Sequence, residues 1–121
     1  MKYTATITKI GEEALELFEK SNLLIIFGEN APQELQNISV IHNGVGLANQ
    51  PQVGDTVVIC KKKFAISAIG TKALQTLKQL GHWTFCFDGA AVAALPGYIA
   101  LKAEKRLSSC DIVIGEKIEF F

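Results

Sequence analysis

His82-Trp83-Thr84-Phe85-Cys86-Phe87-Asp88 is the stretch that decides the fold. Trp83, Phe85 and Phe87 fall on one side of an extended chain, and His82, Thr84, Cys86 and Asp88 on the other. Successive side chains of a strand point to opposite faces, so strict alternation marks a strand with one buried face. The same period runs from Tyr3 to Thr8, where Tyr3, Ala5 and Ile7 alternate with threonines. Leu23 to Phe27 is short, apolar and rich in isoleucine, a strand buried on both faces. Further strands are expected at Ile38–His42, Thr56–Cys60, Phe64–Ile69, Tyr98–Lys102, Ile112–Ile114 and Lys117–Phe121. Thr56–Cys60 and Phe64–Ile69 flank Lys61-Lys62-Lys63 and form a hairpin with the lysines at its solvated tip.

Two segments carry the helical period instead. Glu12 to Lys20 places Ala14, Leu17 and Phe18 on one stripe, with acids in the first turn. Thr71 can cap a helix to Leu80, with Ala73, Leu74, Leu77 and Leu80 as its stripe and Gly81 as its stop. Helices do not follow most strands, which excludes a doubly wound α/β sheet. About eight short strands with regular turns give an all-β fold, a small closed or nearly closed β-barrel with one or two short helices. Closure removes exposed sheet edges. An echo links Val53-Gly54-Asp55-Thr56-Val57 to Ile114-Gly115-Glu116-Lys117-Ile118. In each, glycine supplies a turn and the acid bonds a nearby amide before a strand begins.

The 121 residues suffice for a single domain over 1–121, and 49% of them are apolar, which supports a packed core. Twelve basic and twelve acidic residues cancel, so the chain lacks the basic excess of a nucleic-acid binder. Cys60, Cys86 and Cys110 are widely spaced and form no CxxC, which argues against zinc and suits a reducing cytoplasm. No apolar run is long enough to span a bilayer, and the first residues lack a signal-peptide core, so no direct membrane insertion is expected.

Chemistry centres on two histidines, His42 and His82. His42 ends an apolar run and opens a glycine turn, Asn43-Gly44-Val45-Gly46. Its ring offers nucleophile and proton chemistry near neutral pH, although a histidine there also reads simply as a polar strand end. His82 lies on the non-aromatic face of its strand and either lines that face or orients His42. Asp88 shares that face but sits about 20 Å along the strand, too far for a direct hydrogen bond. HExxH, P-loop, dinucleotide-binding and G-x-S-x-G patterns are absent. Two histidines with scattered acids make a poor metal site, and no cofactor is expected. Cys60 beside the lysines reads as a small apolar filler or as a thiol made acidic by nearby ammonium groups.

The order of short motifs adds a resemblance. It runs through Thr6-Ile7-Thr8-Lys9-Ile10-Gly11, Ile41-His42, Ala68-Ile69-Gly70, Leu80-Gly81-His82, Phe87-Asp88-Gly89 and Leu95-Pro96-Gly97. In this order the chain resembles the glucitol/sorbitol-specific enzyme IIA family of the bacterial phosphoenolpyruvate-dependent sugar phosphotransferase system. The resemblance implies a barrel fold. It also implies that His42 accepts a phosphoryl group from the phosphocarrier HPr and passes it to the IIB component of an IIB/IIC sugar permease. Asn43-Gly44-Val45 departs from sorbitol members, in which a further histidine follows closely. Amides of the Asn43–Gly46 turn would supply donors to the phosphoryl group, and Asn43, Gly44 and His82 are the supporting candidates. Because two proteins must reach the ring in turn, His42 is expected to be exposed. Barrels of this size often associate, so a homodimer is a further expectation. Two other readings stand beside the carrier: a barrel module that has lost transfer, and a ligand-binding barrel with a deep apolar pocket away from His42.

Overall fold

Alternation closes the sheet on itself. In the computed structural model, which describes residues 1–103 and 105–121, eight strands run as β1 (Tyr3–Ile10), β2 (Leu23–Gly28), β3 (Val40–His42), β4 (Thr56–Ile59), β5 (Lys62–Ile69), β6 (Trp83–Cys86), β7 (Tyr98–Lys102) and β8 (Lys117–Phe120). They form a closed barrel in the order β1-β3-β2-β6-β7-β5-β4-β8. Inward positions fill the interior: Tyr3, Ala5 and Ile7 from β1, Trp83 and Phe85 from β6, Ile118 and Phe120 from β8, with Val57, Ile59, Phe64 and Ile66. Trp83 is fully buried, and its ring meets those of Tyr3, Phe85 and Phe120 near edge-on at 5.5–6.0 Å between centroids. These arrangements suit the aromatic quadrupole. The barrel is thus a packed core rather than a container for a ligand.

Two eight-residue helices, α1 (Ala14–Ser21) and α3 (Ala73–Leu80), pack on β2 and β6. Ala14 and Phe18 of α1 and Ala73 and Leu77 of α3 join the core, while Leu17 is half-buried and Leu80 exposed. Both stripes are therefore narrower than the periodicity suggests. Lys72, not Thr71, occupies the cap position of α3 and makes no side-chain cap bond. A single helical turn, α2 (Gln33–Gln36), sits before β3 and has no counterpart in the sequence reading.

Ile112–Ile114 is not a strand. A 3₁₀ turn over Ser109–Asp111 precedes it, held by a reciprocal capping box between Ser108 and Asp111. Ile112 is then buried as an anchor while Val113 and Ile114 face solvent. The lysine run is also split. Cys60 and Lys61 form the turn, both with positive φ (50° and 74°), and Lys62 already pairs with Ile59. Lys62 is half-buried, with its ammonium 2.7 Å from Asp111.

The echo before β4 and β8 belongs to a repeat of the whole chain. Exchanging β1–β4 for β5–β8 returns the same circular strand order. β1 meets β3 antiparallel with an irregularity between Ile7 and Lys9, and β5 meets β7 antiparallel with one between Ile66 and Ala68. β2–β3 and β6–β7 are the parallel pairs. Gly54 N–H donates to Ile66 C=O at 2.8 Å, and Gly115 N–H donates to Ile7 C=O at 2.8 Å. Asp55 C=O and Glu116 C=O accept from the same two isoleucines, each at 2.9 Å. The two acids thus share one backbone device, and the Asp55 carboxylate also accepts from Gln52 N–H at 2.8 Å.

Candidate functional site

His42 is the last residue of β3, and the strand's own period sends it inward. Val40 and His42 face the core, while Ile41 faces outward into a small cluster with Phe27 and Ala31. The ring lies 5.5 Å from the Trp83 ring and edge-on to Tyr3 at 6.1 Å. Its solvent exposure is 0%, so the expected exposed histidine is instead a buried one. The signal was present in the alternation of Val40-Ile41-His42.

Glycines make room for the ring. On the neighbouring strand His42 pairs with Gly28, and beyond it lies Gly81, the residue that ends α3. A Cβ on Gly81 would sit 2.9 Å from both Cε1 and Nε2 of His42, and its φ of 63° is itself in the left-handed region. A Cβ on Gly28 would meet the Leu80 carbonyl oxygen at 2.7 Å. On the third side, a Cβ on Gly44 would come 2.7 Å from the Tyr3 hydroxyl. Close approach of backbone to a side chain is what glycine permits.

Both ring nitrogens have partners whose roles are fixed. Nε2 is 2.8 Å from the Gly81 carbonyl oxygen, which only accepts, so Nε2 carries the proton and donates. Gly44 N–H, which only donates, gives its hydrogen bond to Nδ1 at 2.9 Å. The ring is therefore neutral, with its lone pair on Nδ1. Burial holds its pKa below the ordinary 6.5, opposed by the bond to Gly81 and by the charge of Glu29. The Gly81 carbonyl sits at the C-terminal, negative end of α3, an environment that favours positive charge on the ring.

The supporting candidates separate. Gly44 touches the ring directly. Asn43 faces away and clamps the turn to β1: its side-chain oxygen accepts from Thr6 N–H at 3.1 Å, and its own N–H donates to Thr6 C=O at 3.2 Å. His82 points to the outer face, stacking on Phe27 at 4.2 Å and donating from Nδ1 to Ile26 C=O at 3.0 Å. Orientation of His42 comes from the backbone of Gly81, the residue before His82. Sequence reasoning saw Gly81 only as a helix stop and overlooked Gly28 and Tyr3.

A cavity of about 250 Å³ opens over this end of the barrel, lined by Tyr3, Glu29, His42, Gly44, Lys78 and Gly81 among others. The Tyr3 hydroxyl is buried without a hydrogen-bond partner, and burial pushes its pKa up to about 12, so it is a neutral donor. Elsewhere, Cys60 is buried within the core cluster and burial raises its thiol to about 11, which fits a filler and not a reactive thiolate. No helix among the described residues is long and apolar enough to cross a membrane.

Fold and candidate site together define a small, filled β-barrel with a buried imidazole held by backbone at one end. Solved structures include one of the same class. The crystal structure of the PTS system IIA component from Enterococcus faecalis V583 superposes on 97% of this chain and 98% of its own, with a TM-score of 0.79 and 25% identity. The family model described as PTS system glucitol/sorbitol-specific IIA component matches residues 2–119, and the chain belongs to that family. Among its relatives is the PTS system glucitol/sorbitol-specific EIIA component of Escherichia coli (strain K12). That protein is 33% identical over 97 residues, which are 80% of this chain and 78% of the relative. The Shigella flexneri protein of the same name matches to the same extent.

Proposed function

We propose that the protein is a phosphoryl carrier of a sugar phosphotransferase system. On this reading His42 takes a phosphoryl group from HPr and hands it to a IIB component, for uptake of a polyol such as glucitol or sorbitol. The observation that carries the reading is the state of His42, a neutral imidazole fixed in one tautomer beside a cavity with backbone and hydroxyl donors. A neutral nitrogen is the nucleophile the reaction needs, and positioning with charge stabilisation supplies most of phosphoryl-transfer catalysis. Exposed Val45 and Leu80 flank the cavity and give apolar surface for a transient partner. Such a carrier works in the cytoplasm.

Complete burial of the ring favours one other reading, a regulatory or binding module that keeps the barrel but no longer transfers. The two differ in the second step. Phosphoenolpyruvate, enzyme I, HPr and this protein are combined with a purified IIB component, and labelled phosphate on the IIB cysteine is followed. Label that reaches IIB only when this protein is present supports the carrier. Label that stops on this protein overturns it in favour of the module.

A further inference from the structure

Of the five asparagines, only Asn43 is followed by a glycine. In an open chain that pair cyclises on itself readily, because glycine has no Cβ to hinder attack by its own backbone nitrogen. We infer that Asn43-Gly44 is a latent modification site, which the His42 ring latches shut and which yields aspartate and isoaspartate once the latch is lost. The only co-reactant is water, and no partner protein is needed. Gly44 N gives its proton to solvent and bonds to Asn43 Cγ. The Cγ–Nδ2 bond then breaks, and its electron pair leaves with ammonia. Water opens the cyclic imide in one of two ways. Breaking the new N–Cγ bond gives aspartate. Breaking the original bond from Gly44 N to the Asn43 carbonyl carbon gives isoaspartate, whose backbone is one carbon longer.

One half of this reaction is prepared and the other is blocked. Asn43 is exposed, so water reaches it. Its Oδ1 accepts from Thr6 N–H at 3.1 Å, a donor that would also stabilise the negative charge developing on Oδ1 during attack. The nitrogen, however, is out of line. The new N–Cγ bond must take the place of the Gly44 N–H bond, and that bond points at His42 Nδ1, 2.9 Å away. Closure therefore needs rotation about the Asn43 Cα–C bond, which breaks the hydrogen bond to the ring. The ring cannot follow, because it is fully buried and its Nε2 is tied to the Gly81 carbonyl at 2.8 Å. Beyond Gly44 little else resists the rotation. Val45 and Gly46 are exposed, and a Cβ on Gly46 would meet nothing within 4 Å. The latch is thus one hydrogen bond to a fixed lone pair. Isoaspartate would lengthen the chain between His42 and Gly44, so the amide could not return to Nδ1.

Incubation of the intact protein at neutral pH, followed by peptide mass spectrometry and an isoaspartyl methyltransferase assay, tests this. The samples are folded wild type, wild type unfolded in urea, His42→Leu, and Ile99→Ala as a core cavity on β7. Asn43 should convert more slowly in folded than in unfolded wild type. His42→Leu removes the acceptor and should convert roughly fivefold faster than folded wild type, the factor of one net hydrogen bond. Ile99→Ala should stay near the wild-type rate. Equal rates in folded and unfolded wild type, or no acceleration in His42→Leu, would overturn the inference. So would equal acceleration in both variants, which would trace the effect to lost stability. Amide hydrogen exchange on wild type gives a second reading that needs no variant. Gly44 N–H should be protected, and rapid exchange there would overturn the latch.

Discussion

At the scale of the residue, the site is a histidine held by backbone. Side-chain partners can be exchanged by mutation, but the Gly81 carbonyl and the Gly44 amide are replaced only by moving the chain. Gly81→Ala tests this hold. The new Cβ would lie 2.9 Å from the ring and impose a side chain on a left-handed φ of 63°. Adverse left-handed backbone alone costs about 1–2 kcal/mol. The variant should lose roughly that much in urea unfolding and should also change the ¹⁵N signature of His42. Loss of stability with an unchanged ring signature would show that Gly81 ends the helix but does not hold the ring. Of this arrangement, the sequence displayed His42 and Gly44 but not Gly81 or Tyr3. A histidine at the edge of a glycine turn is conspicuous in one dimension. The carbonyl that orients it comes from a helix end 39 residues away, brought near by β2 lying between β3 and β6.

At the scale of the element, alternation and turn chemistry did most of the folding work. Tyr98–Lys102 is legible from the sequence to the residue, and α3 to within its cap, because Pro96-Gly97 and Gly81 punctuate them. Ile112–Ile114 misleads because three apolar residues carry no period, and the capping box on Ser108 overrides β propensity. α2 is a single turn with no buried residue, so no apolar stripe announced it. The hairpin tip carries a cost that can be measured. Cys60 and Lys61 both adopt positive φ in a tight turn where glycine is the usual second residue. Lys61 contributes little in return, since its ion pair with Glu116 is long at 3.8 Å and its side chain is exposed. Lys61→Gly is therefore expected to stabilise the protein by about 1 kcal/mol, a gain read from the denaturant midpoint. Destabilisation instead would mean that the lysine's contacts outweigh its backbone strain.

At the scale of the whole molecule, the repeat explains why there is one site and not two. His42 faces Ile7 on β1, and Leu101 faces Ile66 on β5 in the matching register. Gly28 beside His42 corresponds to Phe87, two residues beyond Phe85, and Gly81 corresponds to Asn22, which ends α1 with the same φ of 63°. Leucine and phenylalanine fill in one half what an imidazole and a glycine occupy in the other. The sequence showed only a trace of this symmetry, in the two glycine-acid turns, because the repeat lives in strand order and hydrogen bonding.

Burying a neutral imidazole also leaves a mark on global stability. The folded pKa of His42 lies below its unfolded value of 6.5, so below that pH the unfolded chain binds the proton more readily. Stability is then full above about pH 6.5 and falls as pH drops through it. Asp55 and Asp111, whose carboxyls are held below the usual range by hydrogen bonds from Lys2 and Lys62, add losses of the same sign only at more acid pH. Denaturant unfolding between pH 7.5 and 5.5 should show a decline in wild type that His42→Gln removes. An equal decline in both proteins would place the titration elsewhere.

The central claim is that His42 is the phosphoryl acceptor. It is tested most directly by incubating wild type and His42→Gln with phosphoenolpyruvate, enzyme I and HPr, then locating any acid-labile phosphate by mass spectrometry at neutral pH. The account predicts one phosphoryl group on the wild-type peptide that contains His42 and none on a folded His42→Gln. Unphosphorylated wild type, or phosphate retained by the variant, would contradict it.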